Sequence, residues 1–104
     1  MKQIKVPRPK KNNMMTDGQI IRVEALSNYS RIYFVDGSTL VLAKVLQWFE
    51  DFLPAEKFIR VHRSHLVNKK FVKAINGEKI KTILLNNGDN IVVSRRRRRM
   101  VALL

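Results

Sequence analysis

Three turn dipeptides, Asp36-Gly37, Asn76-Gly77 and Asn87-Gly88, do most to restrict what this chain can fold into. An Asn-Gly or Asp-Gly pair between two short apolar runs reverses the backbone tightly, and so favours antiparallel neighbours over a helix. The flanking segments agree. IIRVEA and RIYFVD are short runs of β-branched and aromatic residues, and STLVL follows the Asp36-Gly37 turn, so residues 20–42 read as strand, loop, strand, hairpin, strand. The segment KAINGEKIKTILLNNGDNIVVSR carries the other two turns and reads as a β meander with strands around residues 80–85 and 91–93.

Between these β regions the period lengthens. Leu42, Val45, Leu46, Phe49 and Phe52 or Leu53 fall on one side of a helix of about ten residues that starts at Ala43 and that Pro54 stops. Trp48 and Phe49 on it are expected to pack in the core and not to stack on bases. PAEKF then reads as a turn or short helix. In IRVHRSHLVN, Ile59 and Val61 alternate with Arg60 and His62, which reads as a strand that runs into a loop. Ser94 is placed to cap a last helix from Arg95 to about Leu103, with Met100, Val101, Leu103 and Leu104 as its apolar face. KQIKV near the start reads as an edge strand, and Pro7, Pro9 and the Lys/Asn cluster as an exposed arm. The whole is one domain: a basic N-terminal arm or edge strand over residues 1–17, then a mainly β unit over residues 18–104.

The 104 residues are 45% hydrophobic, enough to bury a core. Cysteine is absent, no apolar stretch approaches the roughly 20 residues that span a bilayer, and MKQIKVPRPKK lacks a signal-peptide core. A cytoplasmic setting without a membrane partner is expected, and the glycosylation-like Asn28-Tyr29-Ser30 then reports only a polar loop.

Twenty-one basic residues against eight acidic ones give a net charge of +13, which favours a polyanionic partner. The excess is concentrated. Lys2, Lys5, Arg8, Lys10 and Lys11 lie near the start, and the five consecutive arginines from Arg95 to Arg99 lie near the end. Cations at a helix N-terminus face the positive end of its dipole and repel one another, a conflict that a bound phosphate relieves. Five successive positions go fully around a helix, so the run cannot all face one ligand. Arg96 and Arg97 fall on the side of Met100 and are expected to snorkel along the core. Arg95, at the strand-to-helix corner, is best placed to reach a base, while Arg98 and Arg99 suit phosphates.

Other chemistries lack their residues. His62 and His65 have no third metal ligand at suitable spacing. The acidic residues form no working pair, Glu50 and Asp51 being adjacent and pointing apart, and there is no phosphate-binding glycine loop or activated nucleophile. No enzyme, cofactor, metal or small-molecule substrate is expected. In the loop that carries the histidines, Arg63 and Asn68 are residue types that contact nucleic acid, although Asn68 equally suits a cap for the turn entering KKFV.

The segment FIRVHRSHLVNKKFV, with IRVEALSNY upstream and VSRR downstream, resembles the LytTR family of bacterial DNA-binding domains, the output modules of response regulators. The resemblance covers nearly the whole chain. It implies a mainly β fold, an elongated sandwich of short sheets with one short mid-chain helix and a short C-terminal helix. It further implies sequence-specific binding of duplex DNA for transcriptional regulation, with loops reaching successive major grooves. Carried over by position, the base contacts fall on the loop from Asn28 to Arg31, at Ser30 or a neighbour, on Arg63 and on Arg95. Asn28, Tyr29, Arg31, His62, Ser64, Asn68, Lys69, Ser94, Arg98 and Arg99 are the phosphate or supporting contacts. Two copies on a repeated DNA site, and a receiver domain or sensor outside this chain, are the implied partners. The arginine run is more basic than the family pattern requires, which implies tighter nonspecific phosphate binding.

Two other classes fit the charge. One is an RNA- or ribosome-associated basic β-domain, disfavoured because only 8% of residues are aromatic and no RNA-stacking motif is present. The other is a protein-interaction module with an exposed strand edge and solubilising basic ends.

Overall fold

The structure, a computed structural model, describes residues 3–5 and 14–104, with side chains from residue 16 onward. Strands β3 (Ile20–Leu26), β4 (Tyr29–Phe34), β5 (Thr39–Leu42), β6 (Phe58–His62) and β7 (His65–Asn68) form a five-stranded antiparallel sheet in the order β5-β4-β3-β7-β6. Strands β8 (Val72–Asn76), β9 (Thr82–Leu85) and β10 (Asn90–Val92) form a three-stranded antiparallel sheet, in which β9 is central. Helix α1 (Leu46–Phe52) lies between β5 and β6, and a 3-10 turn (Arg95–Arg97) leads into the one-turn helix α2 (Arg98–Val101). Near the start, β1 (Gln3–Lys5) pairs with β2 (Met14–Thr16) as a separate ribbon. Of the expected basic arm, Lys2, Arg8, Lys10 and Lys11 lie outside the described residues.

Alternation builds two cores on the two faces of the large sheet. Alternation, with a register shift in β3 between Ile20 and Arg22 that restores Val23 to the side of Ile20, sends Ile20, Val23, Phe58 and Leu66 to one side and Ile21, Ile59 and Val67 to the other. On the first side they meet Leu46, Phe49 and Leu53 around α1. On the second they meet Ile83, Leu85, Ile91 and Val93 of the small sheet, together with Val101 of α2. Strands β3, β6 and β7 are therefore covered on both faces. The principal extents of 43 × 25 × 21 Å describe an elongated body, which agrees with the expected sandwich of short sheets.

Several elements differ from their local pattern. The segment His65–Asn68 is not a loop but β7, paired between β3 and β6, and the turn joining it to β6 lacks the glycine that would signal a hairpin. Helix α1 starts at Leu46, not Ala43, because Leu42 pairs with Ser30 in the sheet and Val45 keeps an extended backbone. Strand β9 starts at Thr82, not Ile80. Gly77 there has φ +94°, and a Cβ on it would lie 1.9 Å from the Ile80 carbonyl oxygen, so the chain folds back on itself and pushes Ile80 outward. Of the four apolar residues assigned to the last helix only Val101 is buried, and Leu103 is 87% exposed. A one-turn helix has no continuous face to bury.

Phe49 is a core residue as expected, but Trp48 is 37% exposed. It stacks on Phe52 within α1 at 4.9 Å between centroids, with the Lys44 ammonium 5.2 Å from its ring. Helix α1 ends at Phe52, with Leu53 extended, as Pro54 requires of its neighbour.

Candidate nucleic-acid interface

Strand direction brings three segments distant in sequence to one end of the sandwich. Strand β3 runs toward that end and turns at Ser27 and Asn28 into β4; β6 runs toward it and turns at Arg63 and Ser64 into β7. Hydrogen bonds tie these turns side by side: the Ala25 N–H donates to the Ser64 carbonyl at 2.9 Å, and the Ser94 N–H to the Val61 carbonyl at 2.8 Å. The second bond brings in the corner where β10 gives way to the arginine run. The β8–β9 connection, with Lys79 and Lys81, closes the same end, since the Val93 N–H donates to the Lys81 carbonyl.

Side chains at these turns point to water. Asn28, Arg63, Arg95, Arg96 and Arg99 are exposed, and Tyr29 is 51% exposed. Ser27 adopts φ +57°, a region costly for a residue with a Cβ, and so forces the two-residue β3–β4 turn. Acidic groups are placed elsewhere or engaged. Asp17, Asp36, Glu56 and Asp89 lie in the turns of the opposite end, Glu24 accepts from the Tyr33 hydroxyl at 2.9 Å, and Glu50 accepts from Arg60. Only Glu78 adds a negative side chain to the turns that carry Arg63, Lys79, Lys81 and Arg95.

The β6–β7 turn is held internally. The Ser64 N–H donates to His62 Nδ1 at 3.1 Å, and the Arg60 guanidinium donates to the His62 and Arg63 carbonyls and to Glu50 Oε1. The His62 and His65 rings face each other across the turn, their centroids 5.3 Å apart. Burial, then the neighbouring charges of His62 and Arg22, lower the pKa of His65 below 6.5, with Glu24 opposing. His65 is therefore a neutral imidazole at neutral pH.

Toward the opposite end a charged network joins the two sheets. Buried Arg22 on β3 donates to Asp89 of the β9–β10 turn at 2.8 Å, covers the Tyr33 ring at 3.7 Å and approaches Glu24 at 3.9 Å. Burial disfavours the Asp89 carboxylate, but hydrogen bonds from Arg22 and Asn87 outweigh it and hold its pKa below the usual value.

Several sequence assignments change place. Ser30 is fully buried, and its hydroxyl donates to the Lys44 carbonyl at 2.7 Å, so it anchors the approach to α1 and presents nothing at the surface. Its face of β4 is that of Ile32 and Phe34, directed at α1. Asn68 is 2% exposed and lies with Lys69 at the far end of β7, on the order of 10 Å along the strand from the turn. The Asn68 amide donates to the Ile20 carbonyl at 2.9 Å, and its Oδ1 accepts from the Lys70 N–H at 3.1 Å. Those bonds make Asn68 a buried cap. Ser94 precedes the last turn as expected, but its side chain makes no cap bond. Arg97 is half-buried and donates to the Arg60 carbonyl at 3.3 Å, whereas Arg96 is exposed and does not snorkel. Arg98 turns its guanidinium to the Lys79 carbonyl. Arg31, His62 and Ser64 are half-buried at the edge of the interface.

Arg60, Lys79 and Lys81 carry no local signal that marks them for this end of the fold. Arg60 stands inside the FIRVHRS motif, and its alternation with Ile59 and Val61 marked it only as the polar face of a strand.

Among the described residues no helix is long and apolar enough to cross a membrane, and no group of His, Cys, Asp or Glu could hold a metal ion. The family model described as the LytTr DNA-binding domain matches residues 11–104. Comparison with curated proteins finds no match. Among solved structures, a LytTr DNA-binding domain from Bacillus cereus, assigned to a methyl-accepting/DNA response regulator, superposes with a TM-score of 0.82. It is 23% identical, over 97% of this chain and 94% of that one, so the likeness is one of fold.

Proposed function

The chain belongs to the LytTr family of DNA-binding domains, a DNA-binding and not an enzymatic family, and within that family we propose that it reads duplex DNA sequence-specifically, through the turns at one end of its sandwich, to regulate transcription. The observation that carries this reading is the convergence of the β6–β7 turn, the β8–β9 connection and the arginine corner, all cation-bearing, beside the uncharged β3–β4 turn on one end, while four acidic residues occupy the turns of the other. Arg63 and Arg95 are the base-reading residues, because an exposed guanidinium on a fixed turn can bind guanine O6 and N7 as a bidentate pair. Asn28 or Tyr29 takes the role first assigned to Ser30, since both are exposed on the β3–β4 turn. Arg96, Arg99, Lys79 and the N-terminal basic segment supply phosphate contacts, which position the protein without reading sequence. Two copies on a repeated site, controlled by a receiver domain or sensor outside the chain, complete the proposal.

Selection of the purified domain against randomised duplexes, followed by binding of the winner and a scramble across a salt series, tests it. A repeated motif bound at least about a thousandfold tighter than the scramble is the expected result. Equal, steeply salt-dependent binding to both would overturn the specific reading and leave phosphate attraction alone. Preference for single-stranded RNA in direct competition would replace DNA by RNA as the partner.

A further inference from the structure

One guanidinium controls the shape of the β6–β7 turn. Arg60 is largely covered, its side chain 13% exposed, on the last strand of the large sheet. Its Nη1 donates to Glu50 Oε1 on α1 at 2.9 Å, its Nε to the His62 carbonyl at 3.2 Å, and its Nη2 to the Arg63 carbonyl. Two successive peptide carbonyls bound to one planar cation leave a two-residue turn few ways to rotate. Glu50 fixes the cation in turn, so the shape of the turn is referred to α1 and the core below it. On the other side the Arg60 carbonyl accepts from Arg97 Nη1 at 3.3 Å, which ties the same residue to the arginine run. Arg60 thus lies between Arg63 and the Arg95 corner and is bonded toward both, while its own side chain is largely covered.

We propose that Arg60 is a positioning residue for DNA readout: it holds the Arg63 turn in its reading geometry and in register with the arginine corner, without touching DNA itself. The inference rests on the readout role of Arg63 proposed above. A lysine at this position keeps the charge but has a single nitrogen, which cannot satisfy a carboxylate and two carbonyls at the spacing of a guanidinium fork.

The test uses the whole chain and the variants Arg60→Lys and Arg60→Met, the latter keeping an apolar stem should lysine unsettle the fold. Discrimination between the selected duplex and its scramble is expected to fall at least about tenfold in Arg60→Lys, while scrambled-duplex affinity stays within about twofold. In an Arg63→Ala background, Arg60→Lys is expected to change discrimination by less than about twofold, because the residue it positions is gone. Unchanged discrimination in the wild-type background, or the same loss with Arg63 absent, would overturn the proposal. Amide exchange gives a readout independent of DNA. The Ala25 amide, bonded to the Ser64 carbonyl, should exchange at least about tenfold faster in either variant, with the core amides of Val23 and Ile32 unaffected. Unaltered exchange at Ala25 would sink the positioning role even if the wild-type chain had no sequence preference, an outcome that would instead count against the DNA reading.

Discussion

Replacing Asn68 by alanine separates a buried cap from a DNA contact. The Asn68 amide is the partner of the Ile20 carbonyl, at 2.9 Å, where β3 leaves the preceding turn, and Ile20 is fully buried. Alanine leaves that carbonyl without its donor, which costs about 1–3 kcal/mol when water cannot replace it. The bond from the Lys70 N–H to Oδ1, at 3.1 Å, caps the 3-10 turn Lys69–Phe71. Lys70 is exposed, so water satisfies its N–H, and losing the cap adds only about 1 kcal/mol. A net loss of about 2–4 kcal/mol follows, or a fall in Tm of about 10–25 °C for a domain of this size. Thermal unfolding followed by circular dichroism measures it, and fluorescence anisotropy well below the new Tm measures binding. DNA affinity of the folded variant is expected to match the parent. A variant with parental Tm but weakened binding would refute the reasoning and return Asn68 to the interface.

Arg63→Ala and Arg95→Ala should each cost about 1–3 kcal/mol at the selected site and relax base choice there; equal loss on a scrambled duplex would show the residue to be a phosphate contact. Stability should fall as pH drops through 6.5, because His65 takes up its proton there in the unfolded chain but only at lower pH when folded, so the unfolded state binds more protons in that window. In His65→Gln this part of the pH dependence should vanish, and a parental slope of Tm against pH in that variant would show that another group carries it.

A charged network ties the two sheets together toward the end away from Arg63 and Arg95. Arg22, engaged by Asp89 and packed on Tyr33, spans the two sheets at the middle of β3. Removing one partner would leave a buried cation uncompensated, which is far more damaging than losing an exposed pair.

Alternation of apolar residues and the three Xaa-Gly turns determined by themselves that this chain is mainly β. Residues 20–42 needed no tertiary information, because IIRVEA, RIYFVD and STLVL each carry their own period and the Asp36-Gly37 turn fixes how the last two meet. The motif FIRVHRSHLVN and the closing VSRR likewise marked the family, and with the concentration of charge at Arg95 to Arg99 they singled out two of the positions proposed for the interface. Register and direction were beyond local pattern. Whether HLVN is a loop or a central strand depends on β3 lying beside it, and whether Ser30 faces water or α1 depends on parity within a hairpin paired to β5. Arg60 reads only as the polar face of a strand, and Asn68 equally as a nucleic-acid contact or a turn cap, until the carbonyls of His62, Arg63 and Ile20 are brought to them. A side chain's partners across the fold are set by which strands pair and in which direction, and that pairing is decided by the burial of the whole sandwich and not by any one segment.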